Sequence, residues 1–335
     1  MKAMFKKYKI VWIGLCIPYL FAMFMFTYRI DYRLTTPGDL EAIDSFILFD
    51  ETYEQSNPFY SVYIMSIDKP TFFQFIMVYF DDYITTTMIP QSRSNVSTIS
   101  NFRSGQVARN SAIDASIIAS YEALGLEVEY EIEELVYLIY DYMDNDQVEI
   151  GDKIISVNGN TNISQGINDT ECGSEATFEL EKEDGSVVSA PITKQVDENC
   201  RFGISTTTYY RITTLEIPYE VRQNLVGGPS GGLMQTLYIY NALSPYDLTQ
   251  GLKIAGTGTI RIDGTVGPVS GVRQKVFTAH MEAVDLFFVP SGSGAKQARE
   301  ALEVIDQPTL EIVEVSTFLD AINYLINRHG VSQDE

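Results

Sequence analysis

The chain has 335 residues, of which 45% are apolar and 20% charged, with a net charge of −22. That length holds about two ordinary domains plus appendages, and that composition suits a globular protein with a real core. Acidity of this degree repels phosphate backbones and no basic stripe interrupts it, which argues against nucleic acid as a partner; its plain consequence is solubility.

The first thirty residues differ in kind from the rest. Lys2, Lys6, Lys7 and Lys9 precede an uncharged run from Ile10 to Tyr28, and Arg29 closes it. As a helix those 19 residues span ~28 Å, close to the hydrocarbon thickness of a bilayer. A cleaved signal peptide is the rival reading, but the run ends in Phe24, Met25, Phe26, Thr27 and Tyr28 without a small-x-small site. Pro18 is tolerable there as a kink. The expectation is a transmembrane helix with a cytoplasmic N-terminus, the bilayer as partner through residues 10–28, and everything beyond Arg29 outside the cell. Residues 1–29 are therefore assigned to a stub and anchor.

From Asp31 to Arg103 Tyr, Phe, Ile and Thr dominate, punctuated by Pro37–Gly38 and Asn57–Pro58, which predicts β-rich structure. A helix is expected over Ser104–Leu124, where Ala108, Ala112, Ala115, Ala119 and Ala123 recur beside Ile113, Ile117 and Ile118. Residues 126–197 form a further unit. It opens with an apolar strand at Leu135–Tyr140 and continues into Gly151-Asp152-Lys153-Ile154-Ile155-Ser156-Val157-Asn158-Gly159. Alternating strands near Ala176–Glu181 and Val187–Thr193 follow, joined by Glu183-Asp184-Gly185.

Beyond it, helices are expected at Ser230–Leu243, Gly271–Ala283, Ala295–Val304 and Thr317–Ile326. Strands are expected at Leu252–Ile262, Leu286–Val289 and Leu310–Val315, a succession typical of α/β layers. Cys16 lies in the apolar span. Cys172 and Cys200 lie on the outer side, where a disulfide persists, but two separate thiols fit equally well. With His280 and His329 as the only histidines and no CxxC, no metal or cofactor is expected.

Gly227-Gly228-Pro229-Ser230-Gly231-Gly232 sits just before the expected buried helix. Glycines let a substrate backbone approach, and unpaired N–H groups of a first helical turn can hold an oxyanion. A Gly-rich turn with a serine cap is also an ordinary structural device. A phosphate loop does not fit, because no G-x-x-x-x-G-K-[ST] occurs. A serine hydroxyl needs a base. His280 falls in the last turn of its helix, as structural histidines do, whereas Lys275 stands at the border of a buried face. To act near neutral pH that lysine must lose roughly 3 pH units from its usual value, which burial can supply.

The G-D-x-I-x-x-V-N-G segment resembles a PDZ fold, with Asn158–Gly159 in a tight turn needing positive φ. The usual carboxylate-binding loop is degenerate at Gly125–Leu126. The succession G-P-S-G-G-L, I-A-G-T-G-T-I and G-x-V-G-P-V-x-G-V-x-x-K resembles the proteolytic domain of Lon-type serine proteases. The resemblance implies a Ser–Lys dyad with Ser230 as nucleophile and Lys275 as base. It makes Thr257 an accessory residue orienting the lysine, and Gly228, Pro229 and Gly231 the oxyanion and substrate loop. Gly256 stands where Lon itself usually has methionine. The whole chain resembles bacterial membrane-anchored PDZ–Lon proteases. The implied fold is an α/β (α+β) Lon-type proteolytic domain split over 30–125 and 198–330, with a PDZ-like insert at 126–197 and a tail at 331–335. The implied function is ATP-independent cleavage of extracytoplasmic peptides or unfolded segments, with ring-forming homo-oligomers as in other Lon-type domains. A non-catalytic peptide-binding adaptor and a Ser–Lys amidase or esterase are the competing readings.

Overall fold

The structure is a computed structural model that describes residues 9–89, 96–143, 145–196 and 200–329. It opens with helix α1 (Lys9–Thr27). The side chains before Gly14, and that of Leu15, are outside the description, so five of the 19 residues of the expected span have no described side chain. Among the described residues no helix is long and apolar enough to cross a membrane.

The following region alternates strands with one short helix: β1 (Tyr32–Ala42), β2 (Ile47–Phe49), β3 (Phe59–Asp68), α2 (Phe72–Val78) and β4 (Thr85–Met88). The aromatic run of α2 leans towards strand by composition, yet it is helical. Thr71 accepts the Gln74 N–H while Gln74 accepts the Thr71 N–H, a reciprocal cap that satisfies the first-turn donors. Helix α3 (Thr98–Leu124) begins six residues before the expected Ser104, because Ser97 caps it through the Ser100 N–H at 3.0 Å.

The rest of the chain supplies β5 (Val128–Ile139), β6 (Lys153–Val157), α4 (Ile163–Asp169), β7 (Glu175–Glu181), β8 (Val187–Thr193), β9 (Ile204–Leu215) and β10 (Tyr219–Val221). Then come α5 (Gly232–Ala242), β11 (Ile254–Gly256), β12 (Thr259–Ile260), β13 (Val266–Gly267) and α6 (Val272–Met281). The last elements are β14 (Leu286–Pro290), α7 (Ser293–Leu302), β15 (Glu311–Val315) and α8 (Phe318–His329).

A six-stranded mixed sheet in the order β15-β14-β11-β3-β1-β4 forms the middle of an α/β/α sandwich. Its buried strands point alternate residues to opposite layers, as the strand period of two requires. Leu286 and Phe288 join Phe59 and Ile254 in a core with Ile113 and Ile117 of α3, Leu233 and Leu237 of α5 and Ile322 of α8. Phe287 and Val289 join Val62 and Ala255 in a second core with Val276 of α6 and Ala298 of α7. The small residues of α3 have the use their spacing suggests: Ser116 and Ser120 donate to the Gly232 and Thr236 carbonyls of α5, each at 3.0 Å. Ala112, Ala115 and Ala119 are buried along the same helix, while Ala123 is exposed.

A second, five-stranded antiparallel sheet runs β8-β7-β6-β5-β9 around Val136, Ile154, Val157, Phe178 and Ile192. Its last strand, β9, lies beyond residue 197 and pairs with β5 from Val128↔Leu215 to Ile139↔Ile204. Two long strands thus carry this unit out of the sandwich and back. Asn158 (φ 53°) and Gly159 (φ 77°) make the tight turn the sequence predicts, with Val157 and Asn160 bonded to each other across it. Buried Asp152 accepts the Glu149 N–H at 2.7 Å and Lys182 Nζ at 2.8 Å.

Cys172 and Cys200 are joined by a disulfide that closes a segment with a sequence separation of 28. A loop of that size restricts the unfolded chain by about 3–4 kcal/mol. Replacing both cysteines by alanine is expected to lower the stability of this unit by about that amount, read as an earlier urea midpoint; an unchanged midpoint would contradict it.

Candidate active site

The loop that carries Ser230, the candidate nucleophile, is built by close packing on α3. Gly228 N–H donates to the Gly105 carbonyl at 2.7 Å, and a Cβ added at Gly227 would stand 3.1 Å from Gly105 C. A side chain at this position would crowd the Gly105 backbone, so glycine suits the approach. Gln106 Nε2 holds the Val226 carbonyl at 3.2 Å. The loop then turns at Pro229 and Ser230 into α5, which starts with the buried Gly232.

Opposite stands the predicted strand Leu252–Ile262, which the structure breaks in two. Strand β11 pairs with β14 and β3, whereas β12 pairs with β13. The Thr257 N–H still donates to the Phe288 carbonyl of β14 at 2.9 Å, and the break falls at Gly258, whose backbone bonds the Ser230 loop and the head of α5 instead of a neighbouring strand. Gly258 N–H donates to the Ser230 carbonyl at 2.9 Å, and Leu233 N–H donates to the Gly258 carbonyl at 3.1 Å. The room at Gly256 is filled by its neighbours: an added Cβ would lie 2.6 Å from Met234 Sδ and 2.7 Å from the Phe288 carbonyl oxygen.

Ser230, Thr257 and Lys275, some forty-five residues apart along the chain at most, meet here. Lys275 Nζ lies 2.7 Å from Ser230 Oγ and donates to Thr257 Oγ1 at 2.8 Å. Thr257 Oγ1 in turn donates to the Ser230 carbonyl at 3.0 Å. Thr257 is fully buried and Lys275 is 2% exposed, while Ser230 is half-buried at the groove floor. Burial pushes the Lys275 ammonium down to about 7 from its ordinary 10.5. Its place as the fourth residue of α6, near the positive end of the helix dipole, acts in the same direction. A neutral amine 2.7 Å from a serine hydroxyl can take that proton, so the arrangement is equipped for nucleophilic catalysis. His280, in the last turn of the same helix, is not part of it.

Gly228, Pro229 and Gly231 line the same groove as Ser230 and Lys275, a cavity of about 590 Å³. Sequence reasoning did not find its other wall. Ser61, Tyr63 and Met65 of β3 line it, as do Glu41 and Arg109 at the nucleophile-loop side. Arg109 is buried, with its guanidinium 4.9 Å from the Phe46 ring and Nη2 donating to the Arg222 carbonyl at 3.4 Å. These residues come from strands and helices remote in sequence, and no local pattern marks them.

Residues 216–328 match the family model of the Lon protease (S16) C-terminal proteolytic domain. The chain is also similar to the Lon protease of Mycoplasma mobile, with 28% identity over 103 residues, 30% of this chain and 12% of that protein. The chain therefore spans a small fraction of that relative's length. The mixed α/β fold is consistent with a Lon proteolytic domain, and the matched segment holds all three of Ser230, Thr257 and Lys275. Similarity to this domain supports serine peptidase activity.

The depressed lysine carries a stability cost of determined sign. Between about pH 7 and its ordinary 10.5 the unfolded chain holds a proton that the folded chain does not. Burying Lys275 therefore costs stability in full below pH 7, and the cost fades as pH rises to 10.5. Lys275→Met is expected to melt at a higher temperature at pH 7, by an amount on the order of a few kcal/mol, with the advantage shrinking by pH 10. Thermal melts at the two pH values check this; a gain independent of pH would show that the ammonium is not the source.

Proposed function

We propose that this chain is a membrane-anchored, ATP-independent serine endopeptidase that cleaves extracytoplasmic peptides or unfolded protein segments. The observation that carries the reading is the buried Lys275 amine placed between Ser230 Oγ and Thr257 Oγ1. Ser230 Oγ attacks the peptide carbonyl carbon while its proton passes to Lys275 Nζ. Backbone N–H groups at the head of α5, about Ser230 and Gly231, face the developing oxyanion. The protonated lysine then gives its proton to the leaving amine as the C–N bond breaks. A water, deprotonated by the same amine, opens the acyl ester and returns the hydroxyl to Ser230.

The groove favours an extended peptide over a small ester. Strand β11 pairs with β3 only from Phe59 to Ser61, and beyond Ser61 that flank of β3 has no strand partner among the described residues. A substrate can add there as a strand alongside the nucleophile. ATP independence rests on the lack of a phosphate loop in this sequence. Anchoring and the outward orientation rest on the uncharged run Ile10–Tyr28 and the lysines before it.

The PDZ-like unit is proposed to gate or select substrates without capturing C-termini. The Gly125 and Leu126 N–H groups, where a carboxylate would bind, already close the end of α3 on the Glu122 and Tyr121 carbonyls at 3.2 and 2.9 Å. Assembly of several copies into a ring is a further part of the proposal, carried by analogy with Lon-type domains alone.

With the full chain and a peptide library read by mass spectrometry, Ser230→Ala and Lys275→Ala are each expected to abolish cleavage while the fold is kept. Cleavage retained by either variant would refute the assignment. Activity is expected to rise through about pH 7 as Lys275 loses its proton. Thr257→Val keeps the shape but removes the hydroxyl that orients the amine. It is expected to lower kcat about tenfold or more with KM little changed; a pure KM effect would point to substrate contact instead.

A further inference from the structure

The far end of β3 opens on an apolar surface left uncovered by the described chain. Ile76, Met77, Tyr79 and Phe80 are 41, 65, 62 and 86% exposed, and no residue of α2 is buried. Beside them Met65, Ile67 and Met88 are 58, 41 and 68% exposed. Ile67 pairs with Leu34 and Met88 with Tyr32, two residues apart on β1, so Ile67 and Met88 share one sheet face. Single exposed apolar side chains need no explanation, but a contiguous group of this kind marks an interaction surface.

Its position says what covers it. The patch surrounds the point where α1 leaves the uncharged run. Phe24 and Phe26 of α1 meet Phe72 and Phe73 of α2 with ring centroids 5.7 and 4.7 Å apart, and Tyr32 meets Phe75 at 5.2 Å. The Phe72 N–H donates to the Tyr28 carbonyl at 2.9 Å, and Arg29 Nη1 donates to the Lys69 carbonyl at 3.0 Å. Helix α2 is thereby fixed against the outer end of the span, with Tyr28 and Tyr79 at the level where amphipathic rings favour the membrane interface. Arg29, bonded to the Lys69 carbonyl, lies beside α2 and suits a lipid phosphate, whereas the Lys69 ammonium is 3.9 Å from Asp31 Oδ1.

We infer that α2, with the adjoining end of the β3–β1–β4 sheet, is a lipid-facing foot that seats the catalytic domain on the bilayer. This rests on the proposed anchoring. It also places the groove. Met65 belongs both to the groove wall and to the patch, and the strand from it to its end at Asp68 covers only about 10 Å. The substrates are therefore segments within the first few residues outside a membrane.

The test uses the full chain in vesicles of phosphatidylcholine and phosphatidylglycerol, some of whose acyl chains carry a nitroxide quencher. An environment-sensitive dye is placed on native Cys16, or on Phe80→Cys or Val187→Cys in a Cys16→Ser background. Val187, 57% exposed on β8, reports the surface far from α2. Quenched, blue-shifted emission at positions 16 and 80 but not at 187 is the expected result. Quenching at 16 without quenching at 80 overturns the foot and leaves the anchor standing. Absence of quenching at 16 overturns the anchor and the foot together, and self-association that hides position 80 without lipid would assign the patch to a second copy instead.

Discussion

A lysine amine buried without a countercharge among the described residues is the constraint around which this structure is arranged. Nothing but desolvation and the start of a helix acts to lower its proton affinity, so water must be kept out while one hydroxyl on each side is brought within hydrogen-bonding distance. Meeting that demand takes three separate elements. Helix α6 supplies Lys275, the broken strand supplies Thr257, and the loop stapled to α3 supplies Ser230. The close contacts that look like ordinary packing, Gly227 on Gly105 and Gly258 on the Ser230 carbonyl, set these distances.

The same constraint explains why the sandwich is rigid where the groove is open. Two cores, one on each face of the six-stranded sheet, fix α5 and α6 against the strands between them. The flank of β3 left free beyond its short pairing with β11 borders the groove, and the proposed peptide path runs along it. The antiparallel unit hangs from the sandwich by β5 and β9. Its disulfide and the buried Asp152–Lys182 pair hold it together independently of the site.

Much of the site was legible in the sequence, for a physical reason. Glycines that permit close approach, a serine at a helix head and a lysine on the edge of a buried helical face are local requirements, and each leaves a local trace. The boundaries were less legible. The start of α3 depends on Ser97 and the helix of α2 on the Thr71–Gln74 cap, single side chains that outweigh the propensity of the residues they precede. The strand around Thr257 alternates as a strand should, yet breaks just after it because the Gly258 backbone bonds the Ser230 carbonyl and the Leu233 N–H instead of a neighbouring strand.

The amino-acid sequence by itself determined the turn at Asn158–Gly159 and the succession of helices and strands in the last third of the chain, since these rest on spacing and side-chain type, while the pairing of Ser230 with Lys275 came from the resemblance to Lon-type domains. Only the tertiary structure decided that Lys275 is desolvated, that Cys172 meets Cys200, and that β3 walls the groove and leads to the exposed apolar residues about α2. Those are facts of proximity between residues far apart in the chain. Burial, unlike periodicity, is a property that no short stretch of sequence possesses alone.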